Sequence, residues 1–177
     1  MKPIEEQMSF YGAYHRDFRN RLTHFVGVPS IMFAILLAAG WLRLDVAGLT
    51  LSAAMPLAAV VLIYYFRLDA TLGAAMALFI LVLLYFSEMA ATQPWAQSLG
   101  IFLVTFVGGW IVQLIGHYFE GRKPALADNL FQVFVAPVFL MAELFFALGL
   151  KRQLHDEVTR RVEARMREYR GNPAATA

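Results

Sequence analysis

Residues 89–116 read MAATQPWAQSLGIFLVTFVGGWIVQLIG and contain no charged side chain. A helix needs about 20 apolar residues to cross the hydrocarbon core of a bilayer, so this run is long enough to span it. Three further uncharged runs, at 25–42, 46–66 and 70–87, are close to that length. The pattern predicts an all-α, polytopic membrane bundle with four spanning helices. The charged residues that separate the runs are Arg43, Asp45, Arg67, Asp69 and Glu88.

The composition favours a bilayer as the solvent. Of the 177 residues, 59% are hydrophobic and 16% are charged, whereas soluble domains have about 45–50% and about 25%. No cysteine is present, which excludes disulfides, thiolate catalysis and Cys-ligated metals. The net charge of +2 comes from basic residues beside the apolar runs. We therefore expect these basic residues to set the orientation in the membrane and to contact lipids, and we expect no nucleic-acid partner.

The distribution of Lys and Arg predicts the orientation. Four basic residues precede the first run, the connection after the fourth run has Arg122 and Lys123, and the tail has seven, while the first two connections have one each, Arg43 and Arg67, and the third has none. By the positive-inside rule, the second and fourth connections and both termini face the cytoplasm. A fifth span over 129–150 would carry the tail to the other side. Because this segment contains Pro137 and Glu143, we predict a re-entrant or interfacial helix pair there. The polar start shows no cleavage pattern, so the first helix should stay in the mature protein.

The tail from Lys151 to Arg170 predicts a basic amphipathic helix. It can lie on an anionic leaflet, which its positive charge favours, or pair with a partner helix. Residues 172–177 are expected to be disordered. We therefore expect a membrane-embedded catalytic domain over 1–150 and a tail over 151–177 that is not a separate domain. The predicted apolar stripe consists of Leu154, Val158, Val162, Met166 and Tyr169.

Two histidines lie near the start of the first run. His15 belongs to the aromatic stretch FYGAYHRDF at 10–18, and His24 follows nine residues later. On one straight helix the two would lie roughly opposite each other. A break would let both reach one site, and Asn20 is a candidate N-cap that would supply it. The alternative is that both are ordinary interfacial side chains.

The fourth run ends in a second polar group. Gln113, His117 and Glu120 follow i, i+4 and i+7 spacing, so they share one helix face. Polar groups at membrane depth usually serve a cavity or a function. The alternative is hydrogen bonding between helices, with Gly108, Gly109 and Gly116 allowing close packing.

By the predicted topology, His15, His24, His117 and Glu120 lie at the same edge of the membrane. Three imidazoles and a carboxylate suit Fe(II), Zn(II) or a similar divalent ion. Spacing alone does not choose the metal. Glu143, inside an apolar run, must be neutral, paired or coordinated, and Asp128 is a candidate N-cap for the next segment.

The stretch GHYFEGRKPALADNLFQ at 116–132, with the residues below, resembles the integral-membrane 2-hydroxy fatty acid dioxygenases of sphingoid-base breakdown, a family first described in yeast. The resemblance covers about residues 9–150, and the middle runs match in hydropathy only. The matching residues are Tyr14, His15, Asn20, His24, Pro29, Trp110, Gln113, Gly116, His117, Phe119, Glu120, Pro124, Ala125, Leu126, Asp128, Asn129, Leu130, Gln132, Ala136, Pro137 and Glu143.

The resemblance implies Fe(II)-dependent alpha-oxidation, in which a 2-hydroxy fatty acid and O2 yield the fatty acid one carbon shorter. It implies that His15, His24 and His117 bind the iron. Glu120 would be a further ligand or would orient an imidazole, and Arg122 or Lys123 would pair with the substrate carboxylate. The residues expected to surround and hold the ligands are Asn20, Gln113, Asp128 and Glu143.

Two other functions stay open. The same histidines could serve a zinc-dependent membrane lipid hydrolase with Glu120 as general base. The chain could instead be a haem-carrying or transport protein that uses His24 and His117. Its membrane would be the bacterial cytoplasmic membrane, which the Ala and Leu content favours, or the endoplasmic reticulum in a eukaryote.

Overall fold

The computed structural model describes residues 3–46, 48–121 and 132–171. These residues form seven helices and a two-stranded hairpin, which confirms the predicted all-α membrane bundle. The elements are α1 (Ile4–Ala13), α2 (Phe18–Gly40), β1 (Arg43–Val46), β2 (Leu49–Ser52), α3 (Ala54–Leu68), α4 (Ala70–Ala91), α5 (Trp95–Glu120), α6 (Gln132–Ala147) and α7 (Arg152–Gly171).

Each of the four uncharged runs contributes a helix, but the four differ in length. Helices α2, α4 and α5 are long and apolar enough to cross a bilayer. Helix α3 has 15 residues and rises about 22 Å, which is less than the ~30 Å hydrocarbon core. The prediction that 46–66 is one helical span is therefore wrong at its start.

The hairpin β1–β2 takes up the beginning of that run. Its strands pair antiparallel, with Leu44 opposite Leu51 and Asp45 opposite Thr50. The Thr50 hydroxyl donates to Asp45 Oδ1 over 2.6 Å. Gly48 has a φ of 81°, a left-handed conformation that glycine adopts without steric cost. The turn therefore ends one helix and delays the next.

Glycines let α2 and α5 pack closely. A Cβ added at Gly116 would lie 2.0 Å from the Thr23 hydroxyl, and one at Gly27 would lie 2.8 Å from the Gly109 carbonyl. At these two glycine positions there is no room for a larger side chain. The two helices are antiparallel. The rings of His24 and His117 are in contact at one end, and at the other end Nε1 of Trp41 donates a hydrogen bond to the Ser98 hydroxyl over 2.8 Å.

The four bundle helices alternate in direction. Arg43 pairs with Glu88 at 2.8 Å beside the hairpin, so the end of α4 lies at the hairpin edge. Asp69, between α3 and α4, pairs with Lys151 at the opposite edge, 2.6 Å away. Helices α1 and α7, which begin and end the described chain, pack together at this second edge. That arrangement is the one expected if both termini lie on one side.

The segment predicted as a re-entrant pair contains the single helix α6. Pro137 lies within it, so the proline does not divide the segment as its presence suggested. The break comes later, at 148–151, where α6 and α7 are bent by 119°. Residues 129–131 of the predicted segment lie outside the described residues.

The apolar stripe of α7 faces α1. Val158 and Met166 are buried, and Val162 lies against Gly12 of α1. Arg165 Nε also donates to the Ser9 hydroxyl over 3.1 Å. The interpretation that this stripe lies on a lipid surface is wrong, because its partner is a helix of the same chain. The side chain of Tyr169 and the expected disorder of 172–177 lie outside the described residues.

Candidate metal centre

His15 lies in the break between α1 and α2. Helix α1 ends at Ala13, and α2 begins after Asp17, whose side chain accepts from the Arg19 amide over 2.8 Å. The hydrogen bond from the Arg19 side chain lowers the pKa of Asp17 to about 2, so the cap is charged. Asp17 is therefore the N-cap, and the prediction of Asn20 is wrong because Asn20 lies inside the first turn. The predicted break itself is confirmed.

The break brings His15 and His24 together. Nδ1 of His15 lies 2.8 Å from the Tyr11 carbonyl, and Nδ1 of His24 lies 2.8 Å from the Asn20 carbonyl. A carbonyl oxygen only accepts, so each Nδ1 carries a proton and donates it. The two Nε2 atoms, which then hold lone pairs, face each other at 3.2 Å.

Two lone pairs at that distance repel each other unless a cation lies beside both or one ring gains a second proton. A second proton is disfavoured at His15, because burial lowers its pKa well below the usual range and nearby His24 lowers it further. Two nitrogen ligands about 2.1 Å from one ion, at about 90–110° to each other, lie about 3.0–3.4 Å apart. The observed separation fits a shared metal ion.

His117 completes the group from α5. Its ring centroid lies 5.2 Å from that of His15 and 5.0 Å from that of His24. Each ring offers one nitrogen as a ligand atom, and these three nitrogens all lie within 4.8 Å of one another. The three side chains are 4%, 1% and 6% exposed, and Nδ1 of His117 is buried without a hydrogen-bond partner. The group can bind a metal ion.

Glu120 holds the backbone that carries the first two histidines. Its carboxylate accepts from the amides of Arg16 and Asp17, over 3.0 and 2.8 Å, and from the Asn20 side chain over 3.1 Å. The backbone carbonyl of Asn20 in turn accepts the hydrogen bond from Nδ1 of His24. Glu120 is thus linked to the imidazoles through the N-terminus of α2, and it lies outside the cluster of ligand atoms.

The remaining predicted site residues differ in their position. Gln113 lines the same cavity as the three histidines. Glu143 pairs with Arg21, with 2.7 Å between the carboxylate and Nη1, so its charge is compensated across α2 and α6. Arg122, Lys123 and Asp128 lie outside the described residues. His155 is exposed and stacks on Phe146, with 4.6 Å between centroids.

An apolar cavity of about 250 Å³ opens from the histidine cluster. Along α2 it is lined from His24 to Leu36, a stretch that rises about 18 Å at about 1.5 Å per residue. Ala58 of α3 and Ile80 of α4 also line it. The three imidazoles therefore share one cavity with a long apolar surface.

Three contributors to this region were not predicted as site residues. The Tyr11 ring stacks on His15 with 3.8 Å between centroids and a 6° interplanar angle. Arg21 compensates Glu143, and Gln132 lines the cavity. For Gln132 the available signal was a polar amide at the start of a strongly apolar segment. Tyr11 carries no such signal, because its role depends on the turn that follows it.

The chain is similar to known proteins over most of its length. Residues 1–148 match the family model described as 2-hydroxy-palmitic acid dioxygenase Mpo1-like. The chain belongs to the Mpo1-like family. It is 32% identical over 170 residues to the Saccharomyces cerevisiae protein named 2-hydroxy-palmitic acid dioxygenase MPO1, and the match covers 94% of each chain. No solved structure matches this Mpo1-like chain. The predicted family resemblance is thereby confirmed.

Proposed function

We propose that this protein is an Fe(II)-dependent dioxygenase that converts 2-hydroxy fatty acids to fatty acids one carbon shorter. The observation that carries the proposal is the pair of open Nε2 atoms, 3.2 Å apart, at the head of an apolar cavity. Membership of the Mpo1-like family and the name of the yeast relative support the substrate class. Three histidines leave positions on an iron free for substrate and O2.

The reaction balances with O2 as the oxidant. The bond between C1 and C2 breaks, C1 leaves as CO2, C2 becomes the carboxyl carbon of the product, and the remaining oxygen leaves as water. Bound iron(II) would supply the electrons that activate O2. The two oxygens of a 2-hydroxy carboxylate suit chelation of a metal beside three imidazoles.

The side chains of the protein hold the ligands in one arrangement. Backbone carbonyls of Tyr11 and Asn20 fix the tautomers of His15 and His24, so that Nε2 is the ligand atom in both. Glu120 positions both ligands by fixing the turn between α1 and α2. Partners of this kind raise ligand basicity and fix ring orientation. In this proposal, Arg122 or Lys123 pairs with the substrate carboxylate.

The cavity suits a long acyl chain. An extended chain advances roughly 1.2 Å per bond, as the polypeptide does at about 3.6 Å over three bonds. A cavity about 18 Å long therefore accepts roughly fifteen bonds. We propose that the head group lies at the cytoplasmic edge while the acyl chain extends among α2, α3 and α4 of the catalytic domain, residues 1–150.

The geometry speaks against the two other functions. The centroids of His24 and His117 lie 5.0 Å apart in edge-to-face contact, which leaves no space for a haem ring between them. Both carboxylate oxygens of Glu120 accept hydrogen bonds from amides in the turn before α2, and the carboxylate lies outside the cluster of ligand atoms. A general base must lie within hydrogen-bond reach of the water it activates, so Glu120 is poorly placed to act in a zinc hydrolase.

The test is purification in detergent without oxygen, followed by metal analysis and incubation with a 2-hydroxy fatty acid and O2. The proposal predicts bound iron, O2 consumption, and a product one carbon shorter. Zinc without O2 consumption would favour the hydrolase. A Soret band would favour the haem protein.

A further inference from the structure

Gln132 carries a buried hydrogen-bond acceptor that has no partner, and the residue lines the cavity. It is the first residue of α6, is 5% exposed, and lines the cavity together with the three histidines. Its Oε1 atom is buried and has no hydrogen-bond partner. A buried acceptor without a donor is costly, and such atoms in native proteins usually have a ligand, water or functional role.

Several other polar groups around the cavity are already engaged. Nδ1 of His117 also lacks a partner, but a nitrogen of that ring belongs to the metal-binding set. The Tyr65 hydroxyl donates to the Phe134 carbonyl over 3.0 Å. Nδ1 of His15 and of His24 each donate to backbone carbonyls. Gln132 Oε1 is therefore available to a ligand that brings a hydrogen-bond donor into this cavity.

The proposed substrate has one such donor. A carboxylate only accepts hydrogen bonds, whereas a hydroxyl both donates and accepts. The hydroxyl on C2 is the donor that distinguishes a 2-hydroxy fatty acid from an unsubstituted fatty acid. The open acceptor of Gln132 thus complements the group that defines the substrate class.

We propose that Gln132 is a specificity-determining residue that accepts a hydrogen bond from the 2-hydroxyl of the substrate. This inference rests on the proposed function and adds to it a residue that selects the substrate. It requires that the site prefer a 2-hydroxy acid over a ligand of equal length that lacks the donor.

A 2-oxo fatty acid of the same chain length is the matched ligand. It keeps two oxygens that can chelate a metal, but it has no hydrogen to donate. Dissociation constants would be measured without oxygen on the iron(II)-loaded protein in detergent, by tryptophan fluorescence, since Trp110 lines the cavity. Gln132→Met removes the acceptor while keeping a side chain of similar length. Gln153→Met, at an exposed position on α7, is the control.

The ratio of the two affinities should favour the 2-hydroxy acid about 5- to 100-fold more in the wild-type protein than in Gln132→Met, the range expected for one buried hydrogen bond. Gln132→Met should lose this part of the preference, with unchanged iron content and unchanged affinity for the 2-oxo acid. Gln153→Met should keep the preference.

Two results would overturn the inference. One is a Gln132→Met protein that keeps the wild-type preference. The other is equal loss of both ligands or of iron, which would assign Gln132 a structural role. Failure of the proposed function is distinguishable, because the wild-type protein would then neither bind nor oxidise the 2-hydroxy acid.

Discussion

The Glu120 carboxylate accepts a hydrogen bond from the Asn20 side chain over 3.1 Å, and the backbone carbonyl of Asn20 lies 2.8 Å from Nδ1 of His24. A residue at the end of α5 is thus linked to an imidazole on α2 without contacting it. The same carboxylate holds the amides of Arg16 and Asp17, beside His15.

Replacing Glu120 by Ala should lower metal affinity and activity by about 10- to 100-fold, the usual cost of losing a partner that orients a ligand. Metal titration and turnover would measure both. The spectrum of the Co(II)-substituted protein should stay close to wild type, because the three nitrogen ligands remain. A change in coordination number in that spectrum would mean that Glu120 binds the metal directly.

Replacing Gly116 by Ala should destabilise the protein by about 1–3 kcal/mol, the usual cost of overpacking. The new Cβ would lie 2.0 Å from the Thr23 hydroxyl and 2.5 Å from Asn20 Oδ1. Thermal unfolding in detergent would measure the loss. Gly108→Ala is the matched control, because nothing lies within 4 Å of a Cβ there. Equal effects of the two substitutions would contradict the close packing of α2 on α5.

Replacing Ala58 by Phe should move the preferred substrate toward shorter acyl chains. Ala58 is 5% exposed and lines the cavity, so a larger side chain fills space that the acyl chain would occupy. Turnover of a series of 2-hydroxy acids of different length is the measurement. Ala59→Phe changes the exposed neighbouring position and should leave the length profile unchanged. An unaltered profile in Ala58→Phe would place the acyl chain elsewhere.

Both ends of the chain should be accessible from the cytoplasm only. The chain has no cysteine, so a single cysteine can be introduced at Arg160, which has a side chain 77% exposed, or at the exposed Thr50 of the hairpin. A membrane-impermeant thiol reagent should label position 50 from the outer or lumenal side and position 160 from the cytoplasmic side. Outer labelling at position 160 would refute the predicted topology.

Much of the helical fold could be predicted from the sequence, because an uncharged, apolar run of about 20 residues indicates a helix that crosses a bilayer. The hairpin at 43–52 could not be predicted. Its second half belongs to an uncharged run that begins at residue 46, and the length of that whole run is typical of a spanning helix. Gly48 and the pair Asp45 and Thr50 were the available turn signals. The partner of the α7 stripe was also undetermined, because an amphipathic pattern shows an apolar face without showing what covers it.

The convergence of His15, His24 and His117 was predictable because topology places all three at one edge, and a break between the first two was required. The residue that makes the break was not, since Asp17 and Asn20 are both good N-caps and only the structure distinguishes them. The links from Glu120 to Asn20 and from Arg21 to Glu143 join positions about a hundred residues apart in sequence. Local spacing carries no information about such pairs.

The most direct test of the metal centre is iron content and 2-hydroxy fatty acid oxidation measured together in His117→Ala, with His155→Ala as the control. His117 supplies one of three clustered ligands, whereas His155 is exposed on α7. His117→Ala should lose iron and activity while the protein still inserts into the membrane, and the same is expected of His15→Ala and His24→Ala. His155→Ala should match the wild-type protein. Full iron content and full oxygenase activity in His117→Ala would contradict the proposed centre.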